Sequence, residues 1–436
     1  MAQAPKNKGW IVTFSGTGIN LALGILYTWS IFKGAIKTSM ETGGPGAFNW
    51  DIAKLNDPYS VCCLVFAFAM ILAGKCQDKF GPRITAFLGG ILVGIGFIWI
   101  SKTTSYIGWV LGFGLLAGMG IGFGYSAATP PALKWFPPSK TGLIAGLVVS
   151  GFGLASVYIA PLSEYLLKIW GLQSAMMFFG VAFFIVVCGL ATNLANPPDG
   201  YSPEKLIAYE SSATEREHGV RKTIKLIRNQ IDFTPAEMMK TSAFYLLWFI
   251  FFIGAGAGLM VISSVAGMAK KSMGEAAFVA VAILAVGNAA GRIIAGMLSD
   301  KIGRALTLFI MLTFQAVLMF VAIPVVSSAN STGFIVVLLA TIIGFNYGTN
   351  LSLFPSFTKD LYGLKNFGIN YGIVFTAWGV GGFILSRFSQ MLQASSQGSF
   401  TSSFVTAGVL LIIGGLLTLV LKGLKPQRVA TSMVSS

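Results

Sequence analysis

The chain has 436 residues, 55% hydrophobic and only 10% charged, with 30 Lys/Arg against 15 Asp/Glu and a net charge of +15. Soluble domains carry about 25% charged residues, so a soluble globular enzyme, a disordered chain, a collagen and a disulfide-stapled secreted domain are excluded, and a polytopic membrane protein remains. The basic excess fits the positive-inside bias of membrane loops better than a nucleic-acid surface, and no nucleic-acid partner is expected.

About 20 apolar residues span a bilayer. Twelve such runs follow one another, near 10–33, 58–75, 84–101, 106–130, 141–166, 171–195, 243–268, 275–299, 305–326, 332–357, 368–390 and 401–423. The first is too long for a cleavable signal peptide and many more follow it. In span 4, Gly114, Gly118 and Gly122 repeat every four residues, as do Gly142, Gly146 and Ser150 in span 5; small residues so spaced pack helices closely in lipid. Segment 196–241 interrupts the series with Pro197-Pro198-Asp199-Gly200 and a charged stretch from Glu210 to Arg228. The expected organisation is an N-terminal six-helix bundle (1–195), a cytoplasmic central loop (196–241) and a C-terminal six-helix bundle (242–436). Within the loop, Ile207, Ile224, Leu226 and Ile227 suit either a short amphipathic surface helix or a solvated linker. Cys62, Cys63, Cys76 and Cys188 form no CxxC pair and His218 stands alone, so neither a metal nor a cofactor is expected.

With both termini placed in the cytoplasm, 21 basic residues fall inside and 8 outside, leaving Arg292 within a span. That asymmetry fixes the expected orientation.

The loop after span 2 reads Gly74-Lys-Cys-Gln-Asp78-Lys79-Phe-Gly81-Pro-Arg83, and the loop after span 8 reads Gly296-Met-Leu-Ser-Asp300-Lys301-Ile-Gly303-Arg304. Both follow G-x-x-x-D-K-x-G with a basic residue after it, at equivalent places in the two halves. The first glycine lets helices approach, the aspartate caps a helix or pairs with a base, and the second glycine permits a tight turn. Twice repeated in a six-plus-six chain, this pattern resembles the major facilitator superfamily. The resemblance implies an all-α membrane protein of 12 transmembrane helices in two pseudo-symmetric bundles, a central site near the midplane, and alternating access. The motif itself is then a gating device.

Arg292 is the one charge deep within a span, and none of the 15 acidic residues lies at comparable depth. A guanidinium in hydrocarbon needs a wet cavity, an anion or helix carbonyls. A substrate carboxylate fits its planar fork. Asn288, four residues earlier on the same helical face, either holds the guanidinium or meets substrate.

Further blocks narrow the resemblance. Lys134-Trp135-Phe136-Pro137-Pro138-Ser139-Lys140, the span 10 stretch Phe345-Asn-Tyr347-Gly-Thr-Asn-Leu351-Ser-Leu-Phe354-Pro355-Ser356, and Asn370-Tyr371-Gly372 are similar to the oxalate/formate antiporters. Those in turn are close to the monocarboxylate transporters. By that resemblance Arg292 matches the span 8 arginine, and Tyr27, Tyr125, Tyr347 and Phe375 match cavity aromatics. A second span 10 tyrosine falls on Leu351, and the second cation of the oxalate carriers, a span 11 lysine, falls on Trp378. One cation instead of two implies a monoanion. The aspartate that monocarboxylate transporters place four residues before the arginine is here Asn288, so it carries no proton. Asp57 and Lys33 are the proton-coupling candidates. Tyr371, Phe375 and Trp378 share one face of span 11.

The expected function is therefore a secondary transporter of small monocarboxylates of the lactate or pyruvate type, by proton symport. Anion exchange of the oxalate/formate type is the alternative. A sensor or scaffold lacks a soluble domain to signal through, and an enzyme lacks paired carboxylates or a histidine at the cavity. The expected partners are a small organic monoanion, protons and the lipid bilayer. The expected unit is a monomer, in a plasma membrane of the bacterial inner-membrane kind.

Overall fold

In the computed structural model, residues 7–44, 46–198, 201, 232–273, 277–327, 333–396 and 399–424 are described. The central-loop positions Ile207, Ile224, Leu226 and Ile227, with the choice between surface helix and linker, lie outside them. Every regular element among the described residues is helical. Eleven of these helices are long and apolar enough to cross a bilayer, and one of them, Pro138–Ala191, is double length.

The spans run in chain order. Helix α1 is Gly9–Thr42, interrupted by a 3-10 turn at Gly24–Thr28. It is followed by α2 (Asp57–Phe80), α3 (Pro82–Ile100) and α4 (Tyr106–Trp135). Thr141–Ala191 breaks at Gly171, whose φ of +73° lies in the left-handed region, giving α5 (141–170) and α6 (172–191). The second half holds α7 (Ser242–Met273), α8 (Ala277–Ile302), α9 (Arg304–Ser327), α10 (Gly333–Tyr362), α11 (Phe367–Ser395) and α12 (Thr401–Gly423). With the double-length helix divided, the twelve expected spans are all present. The end of α4 is later than the apolar run suggests. Pro130 and Pro131 lie inside the helix and it continues to Trp135, because packed neighbours let membrane helices tolerate lost backbone donors.

Apolar residues divide by face. Phe68, Leu72, Ile84 and Ile95 are exposed and suit lipid, whereas Phe66, Met70, Val93 and Phe97 on the same helices are buried. Between the halves, α5 crosses α8 and α2 crosses α11 almost backbone to backbone. A methyl group added at Gly146 would meet the Arg292 carbonyl group, and one at Gly74 would meet that of Gly368. Both G-x-x-x-D-K-x-G loops lie at one end of the molecule, here called the motif face.

The central loop is tied down at both ends on this face. Trp135 Nε1 donates to the Ala195 carbonyl at 2.8 Å. At the other end, Asp232 Oδ1 accepts from the backbone N–H of Leu364 at 2.9 Å and of Lys365 at 3.0 Å. A capping box of Thr234 and Glu237 then starts the helical turn Pro235–Met239 before α7.

Candidate functional site

The helix crossings bring Arg292 against the N-terminal half. Its side chain is completely buried. Nε donates to Asn288 Oδ1 at 2.9 Å, one turn back on α8. Nη1 donates to the Val149 carbonyl of α5, and Nη2 reaches the Tyr27 hydroxyl of α1 at 3.4 Å. Tyr27 lies in the 3-10 turn of α1, and such a break in a long helix aims a side chain off the regular face. All three acceptors are neutral. Among the described residues no carboxylate pairs with Arg292. A guanidinium carries five N–H donors; among the described residues three of them are engaged.

Aromatic rings from both halves close around this point. Phe66 of α2 lies 5.2 Å from Phe375 and 5.3 Å from Trp378, both on α11. Tyr125 of α4 lies 5.4 Å from Phe375 and 5.5 Å from Phe152 of α5. Phe152 in turn stands edge-on to Tyr27 at 5.4 Å. On α10, Tyr347 accepts at its hydroxyl from Trp378 Nε1 at 2.7 Å, and Leu351 is buried one turn further along. Tyr371 stacks on Phe367 and meets Phe375 edge-on at 5.7 Å. Tyr125, Tyr347, Tyr371, Phe375 and Trp378 are all at most 3% exposed.

The structure therefore gathers Arg292, Asn288, Tyr27, Tyr125, Tyr347, Leu351, Phe375 and Trp378 around the meeting point of the halves. Asp57 and Lys33 are placed elsewhere. The Asp57 carboxylate, at the start of α2, accepts from the Tyr106 hydroxyl at 2.7 Å. Lys33 is half-buried on α1 beyond the 3-10 turn, and no acid pairs with it among the described residues. Sequence reasoning missed Phe66, Phe152 and the Val149 carbonyl. A phenylalanine among 35 carries no mark, and a backbone acceptor carries none at all.

The two motif loops act reciprocally. Asp300, on α8, accepts from the N–H groups of Gly142 and Leu143 at 2.8 and 2.9 Å, at the start of α5. Asp78, on α2, accepts from Gly368 and Ile369 at 3.1 and 2.9 Å, at the start of α11. Each half thus caps a helix N-terminus of the other with a carboxylate, where free N–H groups and the helix dipole favour negative charge. Gly81 and Gly303 take φ of +85° and +92° and make the turns. Gly74 and Gly296 provide the close crossings.

The basic residues are less symmetric. Arg304 grips Asp300 at 2.5 Å and Asp360 at 2.9 Å. Arg83 instead donates to the Leu194 carbonyl at 2.7 Å, holding the start of the central loop. Lys79 lies over the Phe80 ring at 5.1 Å, and Lys301 is exposed. Buried Lys359 on α10 adds a further bridge between the halves by donating to Thr141 Oγ1. With these contacts made, the motif face is closed.

Comparison with known proteins agrees with this architecture. The family model described as "Major Facilitator Superfamily" matches residues 10–386. The oxalate:formate antiporter of Oxalobacter formigenes is 28% identical over 81% of this chain and 77% of its own length. Human monocarboxylate transporter 11 is 24% identical over 93% of this chain and 81% of its own. Among solved structures, the proton:xylose symporter XylE shares the fold, with a TM-score of 0.70 at 14% identity over 95% of this chain and 96% of that one. The chain belongs to the major facilitator superfamily and is a multi-pass membrane transporter.

Proposed function

We propose that this superfamily member carries small organic monocarboxylates of the lactate or pyruvate type by alternating access, with Arg292 as the seat of the carboxylate. One observation carries the reading. Among the described residues a fully buried guanidinium has only neutral acceptors, and two of its five N–H groups have no acceptor. A charge removed from water without a counter-charge costs several kcal/mol, and a bound carboxylate supplies that counter-charge through charge-assisted bonds. The apolar aromatic rings around Arg292 suit the short carbon chain of such an acid. Trp378, standing where the oxalate carriers by resemblance have their second cation, favours one negative charge over two. The relatives named above are an antiporter of oxalate and formate and a monocarboxylate transporter, which supports the class of substrate.

Symport with a proton makes the transfer of a monoanion electroneutral. Asp57 and Lys33 stay as candidate proton carriers at the end of the molecule away from the motif face. Anion exchange is the second reading. It is favoured by the absence, among the described residues, of any carboxylate paired with Arg292, since exchange needs no proton carrier. The motif face is read as cytoplasmic, with both termini on that side of a bacterial inner membrane and the monomer as the working unit.

The test is uptake of labelled L-lactate into proteoliposomes, with and without an acid-outside pH gradient and with and without internal lactate. Proton symport predicts stimulated uptake into empty vesicles. Exchange predicts uptake only into preloaded vesicles, indifferent to pH. In either case Arg292→Lys loses about a hundredfold of uptake or more, because an ammonium cannot reproduce the planar fork. Near-normal transport by that variant refutes Arg292 as the seat.

A further inference from the structure

The last residues of the central loop are seated in the C-terminal half. Phe233 is 2% exposed. Its N–H donates to the Tyr362 carbonyl at 3.0 Å. Its own carbonyl accepts from the side-chain amides of Asn366 and Asn370, both at 3.0 Å, and its ring stands edge-on to Tyr362 at 5.5 Å. Asp232 holds the backbone of Leu364 and Lys365. Gly363, with φ of +83°, makes room for it, since a methyl group there would run into the aspartate. Residues 232–233 thus fill the joint between α10 and α11. The first residues of the loop are seated in the other half. Trp135 of α4 binds the Ala195 carbonyl through Nε1, its own carbonyl accepts from the Tyr201 hydroxyl at 3.1 Å, and the two rings meet edge-on at 4.8 Å. Lys134, next to Trp135, is half-buried and interacts electrostatically with both Asp78 and Asp232. Arg83, the base of the first motif, is engaged by the Leu194 carbonyl.

We propose that the end of the central loop is a latch on the motif face, fastened by the attraction of Lys134 for Asp232 across the two halves. Lys134 stands on α4, in the N-terminal half. Asp232 is bound to the α10–α11 joint, in the C-terminal half. The ion pairs among the described residues, Lys37 with Glu41 and Arg304 with Asp300 and Asp360, each lie within one half, so they do not pull the halves together directly. Lys134 does, and partial burial strengthens its attraction. The latch and the Asp78 cap also act on one turn of α11. The Phe233 carbonyl holds Asn366 and Asn370, and Asp78 holds the amides of Gly368 and Ile369 between them. Asp78 and Lys134 belong to one half, Asp232 and α11 to the other. A motion that parts Asp78 from α11 therefore also parts Lys134 from Asp232, and the two attractions are lost in one step. The latch does not depend on which substrate is carried.

The experiment is a double-mutant cycle on the full chain in nanodiscs, with spin labels on the motif-face ends of α2 and α11. Lys134→Gln, Asp232→Asn and the double variant are compared with the wild type, and pulsed dipolar spectroscopy gives the ratio of closed to open carriers in each. Lys134→Gln is expected to lower that ratio about threefold to tenfold more in the wild-type background than in the Asp232→Asn background, the range for coupled neighbours. The cycle cancels the separate loss of the Asp232 caps and of the Lys134–Asp78 attraction. Equal losses in the two backgrounds overturn the proposal. Hydrogen exchange on Lys134→Gln alone supplies a second reading that does not require the Asp232 variant to fold. The amides of Leu364 and Lys365 lie in the half that does not contain Lys134, and their exchange is expected to quicken by a similar factor as the latch comes undone. Exchange there at the wild-type rate likewise overturns the proposal, since a lysine that only stabilised its own half would leave those amides untouched.

Discussion

Replacing Asp300 by asparagine should open the motif face. The carboxylate accepts from Gly142 N at 2.8 Å and Leu143 N at 2.9 Å and pairs with Arg304 at 2.5 Å. An asparagine oxygen can keep one of the two backbone bonds, without charge assistance, and its NH2 group faces the other donor. Hydrogen bonds to charged groups contribute about 1.5–3 kcal/mol each, and a charge at a helix N-terminus adds about 0.3–1 kcal/mol. Loss of one bond and weakening of the other costs the closed state about 2–4 kcal/mol. At about 1.4 kcal/mol per tenfold, the ratio of closed to open carriers falls by about 30-fold to several hundredfold. Spin labels on the motif-face ends of α5 and α8, read by pulsed dipolar spectroscopy in nanodiscs, report this as growth of a longer-distance population. Asp78→Asn should give a smaller shift, since no arginine grips Asp78 among the described residues. Distance distributions identical to wild type in Asp300→Asn would refute the argument that this cap holds the face shut.

Two further changes probe the site itself. Trp378→Lys removes the bond to the Tyr347 hydroxyl and places a second cation in the shell; competition assays should show preference moving at least tenfold toward dicarboxylates, and an unaltered inhibition profile counts against the assigned position of Trp378. Asn288→Leu takes away the acceptor at Nε, leaving the empty carrier with a less well satisfied guanidinium; uptake into empty vesicles should fall about tenfold while exchange into preloaded vesicles falls less, the value of one hydrogen bond to a charged group, and equal losses in both modes would show that Asn288 does not ease the return of the empty carrier.

Much of this was legible in the chain. Twelve apolar runs and a motif repeated after spans 2 and 8 carry the fold, and one intramembrane arginine marks the centre of the candidate site. Legibility stops where a side chain's role depends on a partner without a sequence signature. Val149 contributes through its carbonyl, which every residue possesses. Phe66 and Phe152 differ from lipid-facing phenylalanines only in the direction they point, and a helix hydrophobic on all sides gives no periodicity to read that from. The 3-10 turn at Gly24–Thr28 is hidden within an apolar run. A Cβ at Gly24 would run into α5 at Ala155, so the deviation reflects tertiary packing. Arg83 stands two residues after the second motif glycine and Arg304 one, and Arg83 finds the Leu194 carbonyl whereas Arg304 finds two carboxylates. The repeat shows only that a basic residue follows the second glycine; the offset and the unequal surroundings decide its partner.

The proposed anion seat and the contacts that close the motif face share one helix crossing. Arg292 and Asp300 stand about two turns apart on α8, and Val149 and Gly142, which they engage, stand about two turns apart on α5. Between these contacts Gly146 lies against the Arg292 backbone, so the helices have no side-chain cushion there. Tilting α5 away from α8 to open the motif face therefore disturbs the Val149 contact, and an anion that competes for Nη1 loosens α5 from the other direction. A ligand shifts a conformational equilibrium only by its differential interaction with the two states. Under the proposed reading the differential is local: a neutral carbonyl occupies the Nη1 donor that a bound carboxylate would claim. The same carbonyl, with Asn288 and Tyr27, reduces the cost of returning without substrate. If Arg292 is the seat, as proposed, then how completely these neutral groups satisfy it decides between return of an empty carrier, as symport requires, and return only when loaded, as exchange requires.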